Sequence, residues 1–238
     1  MIVDAHNHIG RRKGLVFTVE ELLQRMDKGG VDRCVVFSHS EAINNDYVAE
    51  AVKKHPDRLI GFAVVNPWEE RAEEELKRCI NGLRFEGLWL HPVRHGYLLD
   101  DHDLLDPLFA ICSGARIPVI AHGTSHVPCI PNHFEEMALT FPDVILIIAH
   151  MGYMYETNSA ISVAARNANV YLEMSGVFVR QVKQALREVG AKKVLLGTNT
   201  PEGDFEFEIS KIKSSTSDAE EMSLILGQNM LRILGRGK

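Results

Sequence analysis

Strand-like and helix-like segments alternate along the whole of this chain, and that alternation limits its fold more than any single motif does. Short β-branched runs occur at Ile2 to His6, Cys34 to Ser38, Leu59 to Val65, Gly87 to His91, Pro118 to His122, Val144 to His150, Val170 to Met174 and Val194 to Thr198. Amphipathic stretches separate them, at Thr18 to Lys28, Asp46 to His55, Glu69 to Asn81, Leu104 to Ser113, Asn132 to Phe141, Glu156 to Asn167 and Val179 to Val189, and a closing stretch from Asp218 to Leu234 is helical by period. Thr18 followed by Glu21 predicts a capping box, and Gly29-Gly30 a helix stop. The runs Val144-Ile145-Leu146-Ile147-Ile148 and Val194-Leu195-Leu196 are apolar throughout, as parallel strands covered on both faces are. Strand then helix, eight times, predicts an α/β chain folded as a (β/α)8 TIM barrel. No linker or low-complexity segment interrupts it, so residues 1–238 read as a single domain.

Composition narrows the function classes. With 45% hydrophobic residues the 238-residue chain should bury about 70 to 75% of its unfolded surface. A net charge of -6 with both signs interleaved argues against nucleic acid or an anionic membrane as partner. Cys34, Cys79, Cys112 and Cys129 are widely spaced without a Cys-x-x-Cys pair, so neither a disulfide framework nor a thiolate zinc knuckle is indicated, and a reduced, cytoplasmic setting is expected. No signal peptide fits a chain whose first strand starts at residue 2, and no apolar run approaches the roughly 20 residues of a membrane span.

The chemistry collects where the strands end. In a (β/α)8 barrel the active site is built at the carboxyl ends of the strands. Those ends read His6-Asn7-His8, Ser38-His39-Ser40, Asn66-Pro67-Trp68, His91-Pro92, His122-Gly123, His150-Met151-Gly152, Glu173-Met174-Ser175 and Thr198-Asn199-Thr200. Five of the 11 histidines, at 6, 8, 91, 122 and 150, therefore share one layer. The side-chain period of two places Ile2, Asp4, His6 and His8 on one face. His6 and His8 can then chelate one metal ion, with Asp4 beneath to orient a ring.

These segments resemble the amidohydrolase-related family, which comprises metal-dependent hydrolases and decarboxylases of the amidohydrolase superfamily. The resemblance rests on Asp-Ala-His-Asn-His-Ile-Gly at strand one, Gly-Leu-Trp-Leu-His-Pro at strand four and Pro-Val-Ile-Ala-His at strand five. It continues with Phe-Pro-Asp-Val-Ile-Leu-Ile-Ile-Ala-His-Met-Gly at strand six, Tyr-Leu-Glu-Met-Ser-Gly at strand seven, Leu-Leu-Gly-Thr-Asn-Thr-Pro at strand eight and the tail from Ile225 to Arg232. It implies one divalent metal, zinc with manganese as the alternative, held by His6, His8 and His122. His150 would be a further ligand or the residue that polarises the substrate. Where the family carries an Asp as ligand and general base, this chain has Asn199, whose amide can offer an oxygen to a metal but cannot take a proton. Glu202 or Asp204, in the next loop, could supply the missing carboxylate.

Arg11, in the run Arg11-Arg12-Lys13, and Arg94 suit a carboxylate-bearing substrate, and with His91 they are the expected substrate-binding residues. The reading that follows is a hydrolase acting through a metal-activated water on a small, carboxylated, lactone- or amide-like metabolite. Its first alternative is a non-oxidative decarboxylase (carboxy-lyase) using the same centre, and its second a non-catalytic ligand-binding protein with a vestigial site. The expected partner is a small-molecule substrate, and a homodimer is the expected assembly because a chain this short lacks long inserted loops to close the pocket.

Overall fold

The apolar runs become the staves of a closed barrel. The structure, a computed structural model, describes residues 1–236. The strands are β1 (Val3–Arg12), β2 (Leu15–Phe17), β3 (Arg33–Ser38), β4 (Leu59–Gly61), β5 (Ala63–Val64), β6 (Leu88–Leu90), β7 (Val119–His122), β8 (Leu146–Ala149), β9 (Val170–Glu173) and β10 (Val194–Leu195). All neighbouring staves pair in parallel, in the orders β1-β3-β4 and β5-β6-β7-β8-β9-β10. Phe62 N donates to Val36 O at 3.0 Å and Ala63 N to Gly87 O at 2.8 Å, so β4 and β5 are one stave interrupted at Phe62. The ring closes where Ala5 N donates to Leu196 O at 2.9 Å and His8 N to Thr200 O at 2.7 Å. This is the predicted (β/α)8 TIM barrel.

The helices are α1 (Val19–Gly29), α2 (Asn45–Lys54), α3 (Ala72–Asn81), α4 (Pro92–His95), α5 (His102–Ala115), α6 (Pro131–Thr140), α7 (Thr157–Arg166), α8 (Val179–Val189), α9 (Phe205–Ser215), α10 (Ala219–Ser223) and α11 (Asn229–Ile233). The capping box forms, with Glu21 N donating to Thr18 Oγ1 at 3.2 Å and Thr18 N to Glu21 Oε2 at 2.7 Å. Such a cap is worth about 1 kcal/mol to α1. Among the described residues no helix is long and apolar enough to cross a membrane.

Side chains sort into two apolar bodies. Val35, Phe37, Ile60, Phe62, Ile120 and Ile147 fill the barrel, whereas Leu22, Val48, Leu76 and Phe109 belong to the shell between strands and helices. α11 stops the amino end of the barrel with Met230 and Ile233, anchored where Asn229 Nδ2 donates to Ala191 O at 2.7 Å and Val194 O at 2.8 Å. The carboxyl end is left for polar residues.

Two departures from the sequence reading shape that end. β1 runs on to Arg12 and turns back antiparallel as β2, pairing Arg12 with Leu15. Its register against β3 also slips, since Asp4 pairs with Cys34 but Asn7 with Val36. Such a bulge inverts the side-chain parity. Val3 and Ala5 point into the barrel before it, and His6, beside Phe37 and Trp89, points in after it.

Candidate metal centre

Bulky aromatics make the floor of the site. Trp89 at the centre of β6 stacks on Phe37 of β3, with ring centroids 4.5 Å apart, and its indole N–H donates to Ser40 Oγ at 3.1 Å. The His6 ring lies 4.7 Å from this floor, between His8 at 5.3 Å and His150 at 5.0 Å. His122, at the end of β7, is 4.9 Å from His150. Around these imidazoles lies a cavity of about 170 Å³, lined also by Arg12, His39, His91, Arg94, Asn199 and Glu202. A space of this size holds a single six-membered ring, a cavity of ~150 Å³ being enough for benzene.

Each imidazole is held from behind. His6 Nδ1 lies 2.9 Å from Glu173 Oε2 at the end of β9, and both side chains are completely buried. His150 Nδ1 lies 2.9 Å from Ser175 Oγ, which itself donates to Glu173 Oε2 at 2.9 Å. His8 stacks on His39 at 4.8 Å, and His122 on His91 at 4.1 Å. His150 begins a tight turn in which His150, Met151, Gly152 and Tyr153 have φ of 62, 46, 75 and 53°. Non-glycine residues pay roughly 1 kcal/mol or more each for such angles. The turn is secured by His150 N to Glu173 Oε2 at 3.1 Å and Gly152 N to Gly123 O at 3.1 Å.

Burial keeps His8, His91, His122 and His150 neutral at pH 7. Burial, reinforced by the neighbouring imidazoles, holds His8 and His122 well below the ordinary histidine range. Burial and the Arg94 charge bring His91 to about 3, and burial with His6 brings His150 to about 4. For Glu173 burial acts upward, but the His6 hydrogen bond and the His6 and His150 rings outweigh it and bring the carboxyl to about 2. Neutral imidazoles carry free lone pairs, which a divalent ion such as zinc or manganese requires of its histidine ligands. Among the described residues, His6 Nε2 is buried without any hydrogen-bond partner. The donor set thus fits a metal, although the tightest group among the described residues, with ligand atoms within 4.8 Å of one another, is His6, His150 and Glu173 rather than the expected four histidines.

The remaining expectations fall out as follows. Asp4 does not orient a ring: the bulge turns it away, and its Oδ1 accepts from His6 N at 2.9 Å, Asn7 Nδ2 at 2.7 Å and Thr198 N at 3.3 Å. The carboxylate behind His6 is Glu173. Arg11 is exposed and does not line the cavity; Arg12 does, because residues 6, 8, 10 and 12 share one face after the bulge. Arg12 is already engaged, with Nε 3.1 Å from Glu41 Oε1 and a further contact to Glu202. Arg94 lines the cavity and forms no ion pair among the described residues. His91 accepts at Nδ1 from Arg94 N at 3.4 Å. Asn199 reaches the cavity with φ of 57°, an angle asparagine tolerates well. Glu202 also reaches it, but Asp204 caps α9 by accepting from Phe207 N at 3.0 Å. Sequence reasoning gave no role to Glu173, Ser175 or His39, and of the run Arg11-Arg12-Lys13 it singled out Arg11. A glutamate closing the apolar run from Val170 was the available signal, since a buried charge demands partners.

The family sequence model described as Amidohydrolase matches residues 3–236. Gamma-resorcylate decarboxylase of Rhizobium sp. (strain MTP-10005) is 23% identical, over 89% of this chain and 85% of that protein. Among solved structures, an uncharacterised TIM-barrel protein of Bordetella bronchiseptica superposes with a TM-score of 0.85 at 20% identity, covering 99% of this chain and 98% of its own. A dihydroxybenzoic acid decarboxylase of Polaromonas sp. JS666, solved with bound manganese and the inhibitor 2-nitroresorcinol, superposes with a TM-score of 0.79 at 17% identity, over 98% and 96% of the two chains.

Proposed function

The chain belongs to the amidohydrolase family, and from that premise we propose that it is a metal-dependent decarboxylase releasing CO2 from a small cyclic carboxylic acid. The observation that carries the reading is the cluster of buried, neutral imidazoles around an orphaned His6 Nε2, opening on a ring-sized cavity with the free cation of Arg94 at its rim. His6, His8, His122 and His150 would hold the ion, which when bound offsets negative charge growing on the substrate. Arg94 would receive a substrate carboxylate, and a guanidinium does so bidentately. The Trp89 indole, which lines the cavity and is backed by Phe37, suits the flat face of an unsaturated ring. Neutral His91, accepting from Arg94 N at Nδ1, keeps its Nε2–H as a donor to a substrate oxygen.

Decarboxylation is placed ahead of hydrolysis because of Asn199. Hydrolysis needs a base for water and an acid for the leaving group. Loss of CO2 needs one proton delivered to the carbon that keeps the bonding electrons. An amide at the end of the eighth stave can do neither acid nor base work, so the reaction with fewer transfers fits better. The similarity to gamma-resorcylate decarboxylase supports the same choice. Hydrolysis remains the second reading because Glu41 and Glu202 reach the cavity rim, where a carboxylate could take a proton from water.

The test is product analysis. Protein loaded with manganese or zinc is incubated with 2,6-dihydroxybenzoate, other hydroxylated benzoates and carboxylated six-membered lactones. One CO2 per substrate consumed supports decarboxylation. Ring opening of a lactone without CO2 would replace it with the hydrolytic reading.

A further inference from the structure

The bonding around Glu173 decides how two imidazoles face the cavity. Its Oε1 accepts from Ser175 N at 2.5 Å, and its Oε2 accepts from His150 N at 3.1 Å and Ser175 Oγ at 2.9 Å. Backbone N–H groups can only donate, so both carboxylate oxygens are acceptors. His6 Nδ1, 2.9 Å from the same Oε2, must then carry the hydrogen. Ser175 has one hydroxyl hydrogen, and it is directed at Glu173. Its oxygen can therefore meet His150 Nδ1 at 2.9 Å only as acceptor, which puts a hydrogen on that nitrogen too. A neutral imidazole with Nδ1–H presents a lone pair at Nε2. For His6 this is the buried nitrogen that has no partner.

We propose that Glu173 is a positioning residue that fixes the Nδ1–H tautomer of His6 directly and of His150 through Ser175, and is not a third metal ligand beside them. Ligation by Glu173 would need an oxygen already shared among several donors to give up bonds with no water to replace them, since residues 6 and 173 are wholly buried. The fold makes room for the carboxylate as well. A Cβ at residue 197 would lie 2.3 Å from Glu173 Oε1, so glycine is required there. The proposal rests on reading the centre as a metal site, because an open lone pair has a purpose only toward an electrophile.

Ring-nitrogen NMR of the metal-free, 15N-labelled protein tests it without substrate or turnover. Wild type should show His6 and His150 as Nδ1–H tautomers. Ser175→Ala should disturb His150 and leave His6 in place, whereas Glu173→Gln should disturb both. Zinc affinity, measured by chelator competition, should fall roughly 10- to 100-fold in Glu173→Gln and not vanish. Nε2–H tautomers in wild type, or Glu173→Gln with unchanged tautomers and no detectable zinc binding, would overturn the proposal. Should Glu173→Gln fail to fold, Ser175→Ala decides by whether His150 alone responds. Absence of catalysis would count against decarboxylation and leave the tautomers readable, so the two failures are separable.

Discussion

Glu173 Oε2 and His6 Nδ1 lie 2.9 Å apart with both side chains inaccessible to solvent, joining the first and seventh staves beneath the candidate metal centre. Removing the donor to a buried carboxylate leaves that charge unsatisfied, at a cost of roughly 1 to 3 kcal/mol or more. Gly197→Ala should strain it without substituting either residue. The added methyl would meet Glu173 Oε1, so unfolding in urea is expected to come at lower denaturant and metal affinity to fall about tenfold or more. A variant with wild-type stability and affinity would show that the carboxylate position does not matter.

Arg94 and Arg12 both line the cavity but should behave differently on substitution. Arg12 is held by Glu41 and Glu202, whereas Arg94 has no ion-pair partner among the described residues. A charge-assisted hydrogen bond is worth about 1.5 to 3 kcal/mol, so Arg94→Gln should raise KM for a carboxylated substrate roughly 10- to 100-fold. Arg12→Gln should change it less. Steady-state kinetics on both variants decides, and the reverse order would move the carboxylate subsite to Arg12.

Asn199→Asp restores a carboxylate beside the imidazoles, in a backbone conformation aspartate also tolerates. A negative charge beside a divalent cation should tighten metal binding by at least about tenfold. If wild type turns over, the variant should alter its rate and shift its pH optimum upward. Activity that appears only in the variant would instead mark the wild-type site as vestigial.

Acid should destabilise the metal-free protein in a defined window. His91 and His150 sit at about 3 and about 4 against an ordinary 6.5, so below 6.5 the unfolded chain takes up protons that the folded chain refuses. Stability therefore falls as pH drops from about 6.5 toward about 4. Glu173, held at about 2, adds in the same direction from about 4.5 downward. Glu208 and Asp4 act oppositely: burial raises Glu208 to about 7 and Asp4 well above its ordinary range, so their contributions are present at low pH and decline as pH rises through those raised values. With His8 and His122 held low as well, the histidines outnumber the two raised carboxyls, and a net loss of stability is expected between pH 7 and pH 4. His91→Gln should flatten that slope in urea titrations; identical slopes would remove His91 from the account.

The barrel was legible because strand alternation and strand-end histidines are local patterns. Val179–Val189 even matches the expected helix at both ends. The site was less legible where one residue changes the geometry of the next. Period two pointed Asp4 at the rings, but the bulge between Asp4 and Asn7 turned it away and brought Arg12 rather than Arg11 to the cavity. Glu173 could not be assigned from its neighbours in sequence, since its partners His6 and His150 lie 167 and 23 residues distant. The extended strand expected through His150 gives way to left-handed backbone at that residue, which its long-range bonds to Glu173 and Ser175 help to sustain.

Metal content tests the central claim most directly. After incubation with manganese or zinc and removal of the excess, elemental mass spectrometry should find about one divalent ion per chain in wild type and a marked loss in His6→Ala, with both proteins folded by circular dichroism. Wild type that takes up no metal, or His6→Ala that retains a full complement, would contradict the account.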